Sequence, residues 1–283
     1  MAAERDPGAP DPAPPDPLDR GRREIAIRRL RDQRVEETPE TVVVEEPLEV
    51  RLNGVSVAVT MRTPGHDPEL AVGFLVTEGV IENPEVIVSA AHCEDNENVV
   101  DVRTAPGARG VNPPAPRSFY ASSSCGVCGK ANIEAVQARV RDLRGDALRV
   151  SAARIAELPR TLAGAQPLFT ATGAIHAAGL FDADGNLRCA REDVGRHNAV
   201  DKVVGWAAMR DALPLRGSIL LVSGRCGYEL AQKAVMAGIP ILAAISGPSS
   251  LAIELARACG LTLVAFVRGS NMNLCSEPDR IVP

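Results

Sequence analysis

The chain has 283 residues, enough for one large domain or two modest ones with real cores. One Trp, two Tyr and five Phe leave the core to Ala, Val, Leu and Ile, which suits an α/β fold with strands buried on both faces. A net charge of −5 argues against a non-specific nucleic-acid binder, and no run approaches the ~18 apolar residues of a membrane span. Met1 to Arg23 contains no apolar run, so no signal peptide is expected. Seven Cys is an odd number, and Cys93, Cys189, Cys226, Cys259 and Cys275 are scattered singly. Free thiols in a reducing cytoplasm are expected.

Residues 1–38 hold six Pro between Pro7 and Pro17, then a dense mix of Arg, Glu and Asp. Such a segment is predicted to be a disordered tail, because it has too little apolar surface to offset its ordering entropy. Order is expected from Val42, in an α+β subdomain over 42–150. Leu48–Leu52 and Val55–Met61 flank Asn53-Gly54, a two-residue hairpin turn. A helix follows, with Asp67 as its cap, Pro68 at its first position, Leu70, Phe74 and Leu75 as its buried stripe, and Gly79 at its end. Strands are predicted around Val86–Ala90 and Val99–Val102, then an exposed loop over Ala105–Arg117.

The second unit, 151–283, opens with a short helix from Ser151 to about Leu162. A hairpin is predicted from Ala174–Phe181 and Leu187–Arg191, turning at Asp182–Asn186. Helix Gly195–Met209, strand Ser218–Val222, helix Glu229–Ala237, strand Ile239–Ile245, helix Ser249–Ala258 and strand Leu261–Val267 follow. That rhythm predicts a three-layer α/β sandwich.

Two places carry the residue types of chemistry. The first is Ser122-Ser123-Ser124-Cys125-Gly126-Val127-Cys128-Gly129-Lys130, at or just before a predicted helix. A helix N-terminus, a nearby Lys and a second Cys each lower a thiol's pKa, so Cys125 reads as a nucleophilic thiolate. Half of a zinc site is the rival, but no second CxxC or HxxxH completes it. A reactive pair leaves thioredoxin-like exchange and sulfur carriage open; the long Pro-rich loop before the motif counts against exchange.

The second place runs from Arg191 through Glu192, Asp193, Gly195, Arg196, His197 and Asn198 to Asp201 and Lys202, where a strand meets a helix. Helix N-termini and the carboxyl ends of strands are where α/β sheets hold phosphates. Ser223-Gly224-Arg225 and Arg268-Gly269-Ser270-Asn271 end two later strands, so Arg-bearing strand ends converging on one side would suit a diphosphate. A solvated charged turn is the plainer account. Thr172-Gly173 and His176 border the same region, although a lone His in an apolar strand is more often structural.

Taken together, Glu45–Leu48, Met61–Asp67, Ser123–Lys130, Arg191–Lys202, Leu221–Arg225 and Gln232–Leu263 resemble the formate dehydrogenase accessory sulfurtransferase family (FdhD/NarQ) over about residues 42–275. The resemblance implies that Cys125 carries a persulfide, with Cys128 as its partner. It implies a cysteine desulfurase as sulfur donor and the molybdenum (or tungsten) bis-molybdopterin guanine dinucleotide cofactor as acceptor, with GDP or GMP as a partial mimic. The formate dehydrogenase catalytic subunit would be the client. The family's cofactor-binding stretch matches Phe266, Val267, Arg268, Gly269, Ser270 and Asn271. A fold similar to cytidine deaminases and a homodimer are implied as well. The chain departs from the family pattern at Cys226-Gly227 and over Ser270–Cys275.

Deamination itself is not expected, since neither helix start carries the His/Cys-x-Glu and Pro-Cys-x-x-Cys elements of a zinc deaminase. The expected function is a cytoplasmic sulfurtransferase, with guanine nucleotides docking at Arg191, Arg196, His197, Arg225 and Arg268. A thiol–disulfide oxidoreductase and a non-enzymatic cofactor chaperone are the alternatives.

Overall fold

A computed structural model describes residues 17–112 and 141–283. After one helical turn (α1, Pro17–Arg20), β1 (Arg22–Arg31) and β2 (Arg34–Val43) form an antiparallel hairpin. This corrects the prediction that the tail reaches residue 38. Its strands carry opposite charge: β1 holds five Arg and one Glu, and β2 three Glu and one Arg. Arg28 faces Glu37 at 3.5 Å, and Arg29 pairs with Glu40. Asp32 and Gln33 adopt φ of 48° and 64°, the left-handed pair that a tight hairpin turn requires. Averaged composition registers only charge density there and misses complementarity across strands.

Strands β3 (Glu46–Leu52), β4 (Val55–Arg62), β5 (Ile87–Cys93) and β6 (Asn96–Thr104) make a four-stranded sheet in the order β4-β3-β6-β5. The Asn53-Gly54 turn is as expected, with φ of 52° and 81°. Helix α2 (Asp67–Thr77) packs on this sheet. Its N-cap is His66, in the left-handed region (φ 59°), rather than Asp67. The Asp67 carboxylate is taken by the buried fork of Arg62, with contacts of 3.2 and 3.0 Å. A charge-assisted bidentate pair outcompetes capping N–H groups for the same oxygens. The helix ends as predicted: Gly79 has φ 70°, its N–H reaches Val76 O, and Val80 N–H reaches Leu75 O.

In the second half, β7 (Val150–Ser151) leads into α3 (Ala152–Ala163), which Ser151 caps by accepting from the Arg154 N–H. Helix α4 (Pro167–Thr172) supports the β1–β2 hairpin. The order then runs β8 (His176–Phe181), β9 (Leu187–Asp193), α5 (Arg196–Ala208), β10 (Ile219–Val222), α6 (Tyr228–Ala237), β11 (Ile241–Ala244), α7 (Ser250–Cys259), β12 (Thr262–Arg268), β13 (Asn271–Ser276) and β14 (Ile281–Val282). The main sheet has the order β13-β12-β11-β10-β8-β9, parallel from β10 to β12 and antiparallel elsewhere. Side-chain alternation gives it two apolar faces. Ile219, Leu221, Ile241 and Ala243 face Ile155, Leu158 and Leu162 of α3, while Leu220, Val222, Leu242 and Ala244 face α5, α6 and α7.

The two halves share that second core. Leu48 and Val100 of the small sheet, Leu70 and Leu75 of α2, and Val203 and Leu230 of α5 and α6 are all buried within it. Helices α2 and α5 cross with almost no gap. A Cβ on Gly73 would lie 1.8 Å from the Asp201 carbonyl oxygen, and one on Gly205 would lie 1.8 Å from that of Glu69. Only glycine at both positions permits that approach.

Candidate functional site

Strand β9 runs antiparallel to β8, and β8 antiparallel to β10, so β9 to β12 all end at one edge of the main sheet. Asp193, Ser223-Gly224-Arg225, Ser246-Gly247 and the β12–β13 turn meet there, and His176 opens β8 at the same edge, opposite Asp193. The Arg-bearing strand ends therefore share a side, as the alternation predicts.

The turn from β9 into α5 is locked from inside. Asp193 has no exposure and accepts from Thr63 N–H (3.2 Å), Gly195 N–H (2.8 Å), Asn198 Nδ2 (2.9 Å) and Lys202 Nζ (2.7 Å). Lys202 also donates to the Thr63 and Glu192 carbonyls, and Asn198 to that of Met61. Arg191 forms a bidentate pair with Glu69 at 2.6 and 2.9 Å. Glu192 accepts the first N–H groups of α4, from Leu168 and Phe169. One turn on, Asp201 accepts from Thr77 and Lys233, which also reaches Glu78. Burial alone would pull an ammonium down, yet Asp201 and Glu78 more than offset it and Lys233 is pushed up to about 12.

The groups left facing the edge are Arg196, His197, His176, Arg225 and the β12–β13 turn. Arg196 opens α5, whose N-cap Gly195 supplies no side-chain acceptor, and its Nε is buried without a hydrogen-bond partner among the described residues. His197 Nε2 lies 2.7 Å from Glu229 Oε2. Phe266 sits in a bulge of β12 at φ 52°, with its ring against Gly247, where a Cβ would come within 2.7 Å. Arg268 lies over that ring at 5.8 Å, and Gly269 turns the chain at φ 56°. Val267 is buried, whereas Phe266, Arg268, Gly269, Ser270 and Asn271 are exposed. The set offers guanidinium groups and an aromatic face at one sheet edge, which suits a planar base carrying phosphates. Among the described residues no cluster of His, Cys, Asp and Glu could hold a metal ion, and no helix is long and apolar enough to cross a membrane.

The FdhD/NarQ family profile matches residues 43–282. The chain belongs to this family. It is 52% identical over 266 residues to a protein named sulfur carrier protein FdhD from Mycobacterium tuberculosis, covering 90% of this chain and 96% of that one. A namesake from Streptomyces coelicolor is also 52% identical, over 264 residues, with 90% and 94% covered. The crystal structure of a formate dehydrogenase accessory protein from Desulfotalea psychrophila superposes with a TM-score of 0.74. The two are 27% identical, with 92% of this chain and 99% of that one covered.

Cys125 and Cys128, the sequence's first candidates, lie outside the described residues. Of the remaining candidates, Arg196, His197, Arg225 and the exposed residues of Phe266–Asn271 gather at the edge, whereas Arg191 is committed to Glu69. Burial pushes the Cys189 and Cys226 thiols up to about 12, so both act as core fillers. Sequence reasoning missed Glu229 and Gly247. Glu229 meets His197 from another helix, so no local spacing reports it, and Gly247 shows only as the last residue before Pro248.

Proposed function

We propose that the chain carries sulfur as a persulfide on Cys125 and delivers it to a molybdenum (or tungsten) bis-guanine dinucleotide cofactor destined for formate dehydrogenase. A cysteine desulfurase presents its persulfide; the Cys125 thiolate attacks the outer sulfur, the donor S–S bond breaks, and the donor leaves as thiolate. The nucleotide arms of the cofactor dock at the sheet edge, against Arg196, His197, Arg225 and the Phe266–Asn271 turn. Arg191 braces the edge through Glu69 instead of touching phosphate. The protein works in the cytoplasm as a homodimer, on a fold of the cytidine deaminase type.

The convergence of Arg196, Arg225, Arg268 and the Phe266 ring at one sheet edge, in a chain whose relatives are named sulfur carriers, carries this reading. Its test is intact mass after anaerobic incubation with cysteine and a cysteine desulfurase. A gain of about 32 Da, reversed by reductant and absent in Cys125→Ala, is expected for a persulfide. A loss of two hydrogens joining Cys125 to Cys128, with no gain, would replace the carrier with a thiol–disulfide oxidoreductase.

A further inference from the structure

His176 opens β8, an otherwise apolar strand whose next five residues are all buried, yet its own side chain is only half-buried. Its imidazole lies close to Gly224: a Cβ there would come within 3.3 Å of Nδ1 and 3.4 Å of Cε1, and within 3.8 Å of Arg196 Cδ. The ring and the stem of Arg196 thus both approach the Ser223-Gly224-Arg225 loop at Gly224. That position lies at the sheet edge beside Arg196, whose Nε is buried without a hydrogen-bond partner among the described residues.

The charges around the ring are unbalanced. Arg196 and His197 face it from α5 and Arg225 from the loop after β10; among the described residues Asp193 on β9 is the anion acting on it. Asp193 is already shared among Lys202, Asn198 and two backbone N–H groups, and Glu229 is turned toward His197. Residues 167–175, the stretch leading to His176, contain no titratable side chain. Burial first, and the neighbouring cations after it, hold the imidazole below its ordinary pKa. His176 therefore sits at the edge with its proton affinity lowered, among more cationic than anionic neighbours in the described residues.

We propose that His176 is a ligand of the nucleotide diphosphate at this edge and takes up a proton from solvent as that anion enters. The inference rests on the docking of guanine nucleotide at the edge, and it adds the residue and the proton linkage. A diphosphate cancels the cationic part of what disfavours the charged imidazole, burial being the larger part, so the bound-state pKa rises. Binding then tightens as pH falls from the bound-state pKa toward the free-state pKa, up to about tenfold per pH unit for one proton. The nucleotide's terminal phosphate titrates in the same range, with a pKa near ~6, so wild type must be compared with a variant.

The experiment is calorimetric titration of the full chain with GDP at pH 6, 7 and 8, in buffers of differing ionisation enthalpy. It is run on wild type and on His176→Gln, with thermal melts of both to verify folding. Wild type is expected to take up a larger fraction of a proton than His176→Gln at pH 7. Its affinity should gain about tenfold more than the variant's between pH 8 and pH 6. Equal proton uptake and parallel pH profiles, with GDP bound by both, would overturn the role of His176 and leave the docking edge standing. Failure of wild type to bind GDP at any pH would instead remove the docking reading beneath it. Should His176→Gln not fold, His176→Asn and Gly224→Ala give the same comparison. Gly224→Ala makes the imidazole give by a few tenths of an ångström against the new Cβ and should reduce the proton uptake while keeping the titratable ring.

Discussion

Replacing Gly205 by Ala tests whether the crossing of α2 and α5 holds the two halves together. The new Cβ would stand 1.8 Å from the Glu69 carbonyl oxygen and 2.9 Å from the Gly73 nitrogen. Both are backbone atoms, so no side chain can rotate away, and relief requires the helices to separate by more than an ångström. The same separation stretches Thr77–Asp201 (2.7 Å), which spans the crossing, and strains Arg191–Glu69 (2.6 Å), which ties α2 to β9. Overpacking in a rigid core costs about 1–3 kcal/mol. Each weakened buried polar contact adds about 1 kcal/mol. Roughly 4 kcal/mol is therefore expected, a large share of the ~5–15 kcal/mol that holds most proteins folded. With a urea m-value of about 2–3 kcal/mol/M, the unfolding midpoint followed by far-UV circular dichroism should fall by about 1.5 M. Gly145→Ala is the control, because nothing lies within 4 Å of its Cβ position, and it should stay within about 0.5 kcal/mol of wild type. A Gly205→Ala midpoint that moves no further than the control's would refute the claim that this contact is closed.

Three other outcomes follow from the buried polar groups. Lys233→Met removes the cation buried against Asp201, and should cost roughly 3–5 kcal/mol in urea unfolding at pH 7. Lys233 is raised from 10.5 to about 12 on folding, so its contribution is whole below pH 10.5 and lost as pH rises through 12. The wild-type Tm should show that alkaline loss and the variant's should lack it. Cys189 and Cys226, held at about 12 by burial, should resist iodoacetamide at pH 8 in native protein and react in urea, as read by peptide mass mapping. Glu192→Ala removes the acceptor for two N–H groups at the start of α4, a loss of about 1–2 kcal/mol. Because α4 supports the β1–β2 hairpin, trypsin should then cut at Arg28 to Arg34 faster than in wild type.

The main sheet was legible because its strands are short apolar runs between helical repeats, and Asn53-Gly54 and Gly79 each announce a backbone conformation. The β1–β2 hairpin and β13 were not, for a shared reason: both are polar, exposed and stabilised by pairing, which a single strand's sequence does not record. The cluster Arg191–Lys202 was legible as important but not as divided. Its partners Glu69 and Thr63 lie more than a hundred residues away, so nothing local separates Arg191, which is bound to Glu69, from Arg196, whose Nε is free. The same distance hid the competition for Asp67, whose carboxylate serves Arg62 in place of its own helix.

That division explains why the edge belongs to both halves of the chain. Thr63 spends three groups on the turn before α5: its N–H on Asp193, its carbonyl on Lys202 and its hydroxyl as acceptor for the Val194 N–H. Asn198, one turn in, is held by the Met61 carbonyl, and Gly205, two turns further, meets Glu69. Helix α5 is thus fixed along most of its length by the first half while its open end presents Arg196 and His197 to the edge. Rigid support of this kind holds binding groups in place without the entropy loss of ordering them when a ligand arrives. A shift of α2 would be transmitted along α5 to that end. The half that runs on toward Cys125 therefore sets the geometry of the edge where, on the proposed reading, its sulfur is needed.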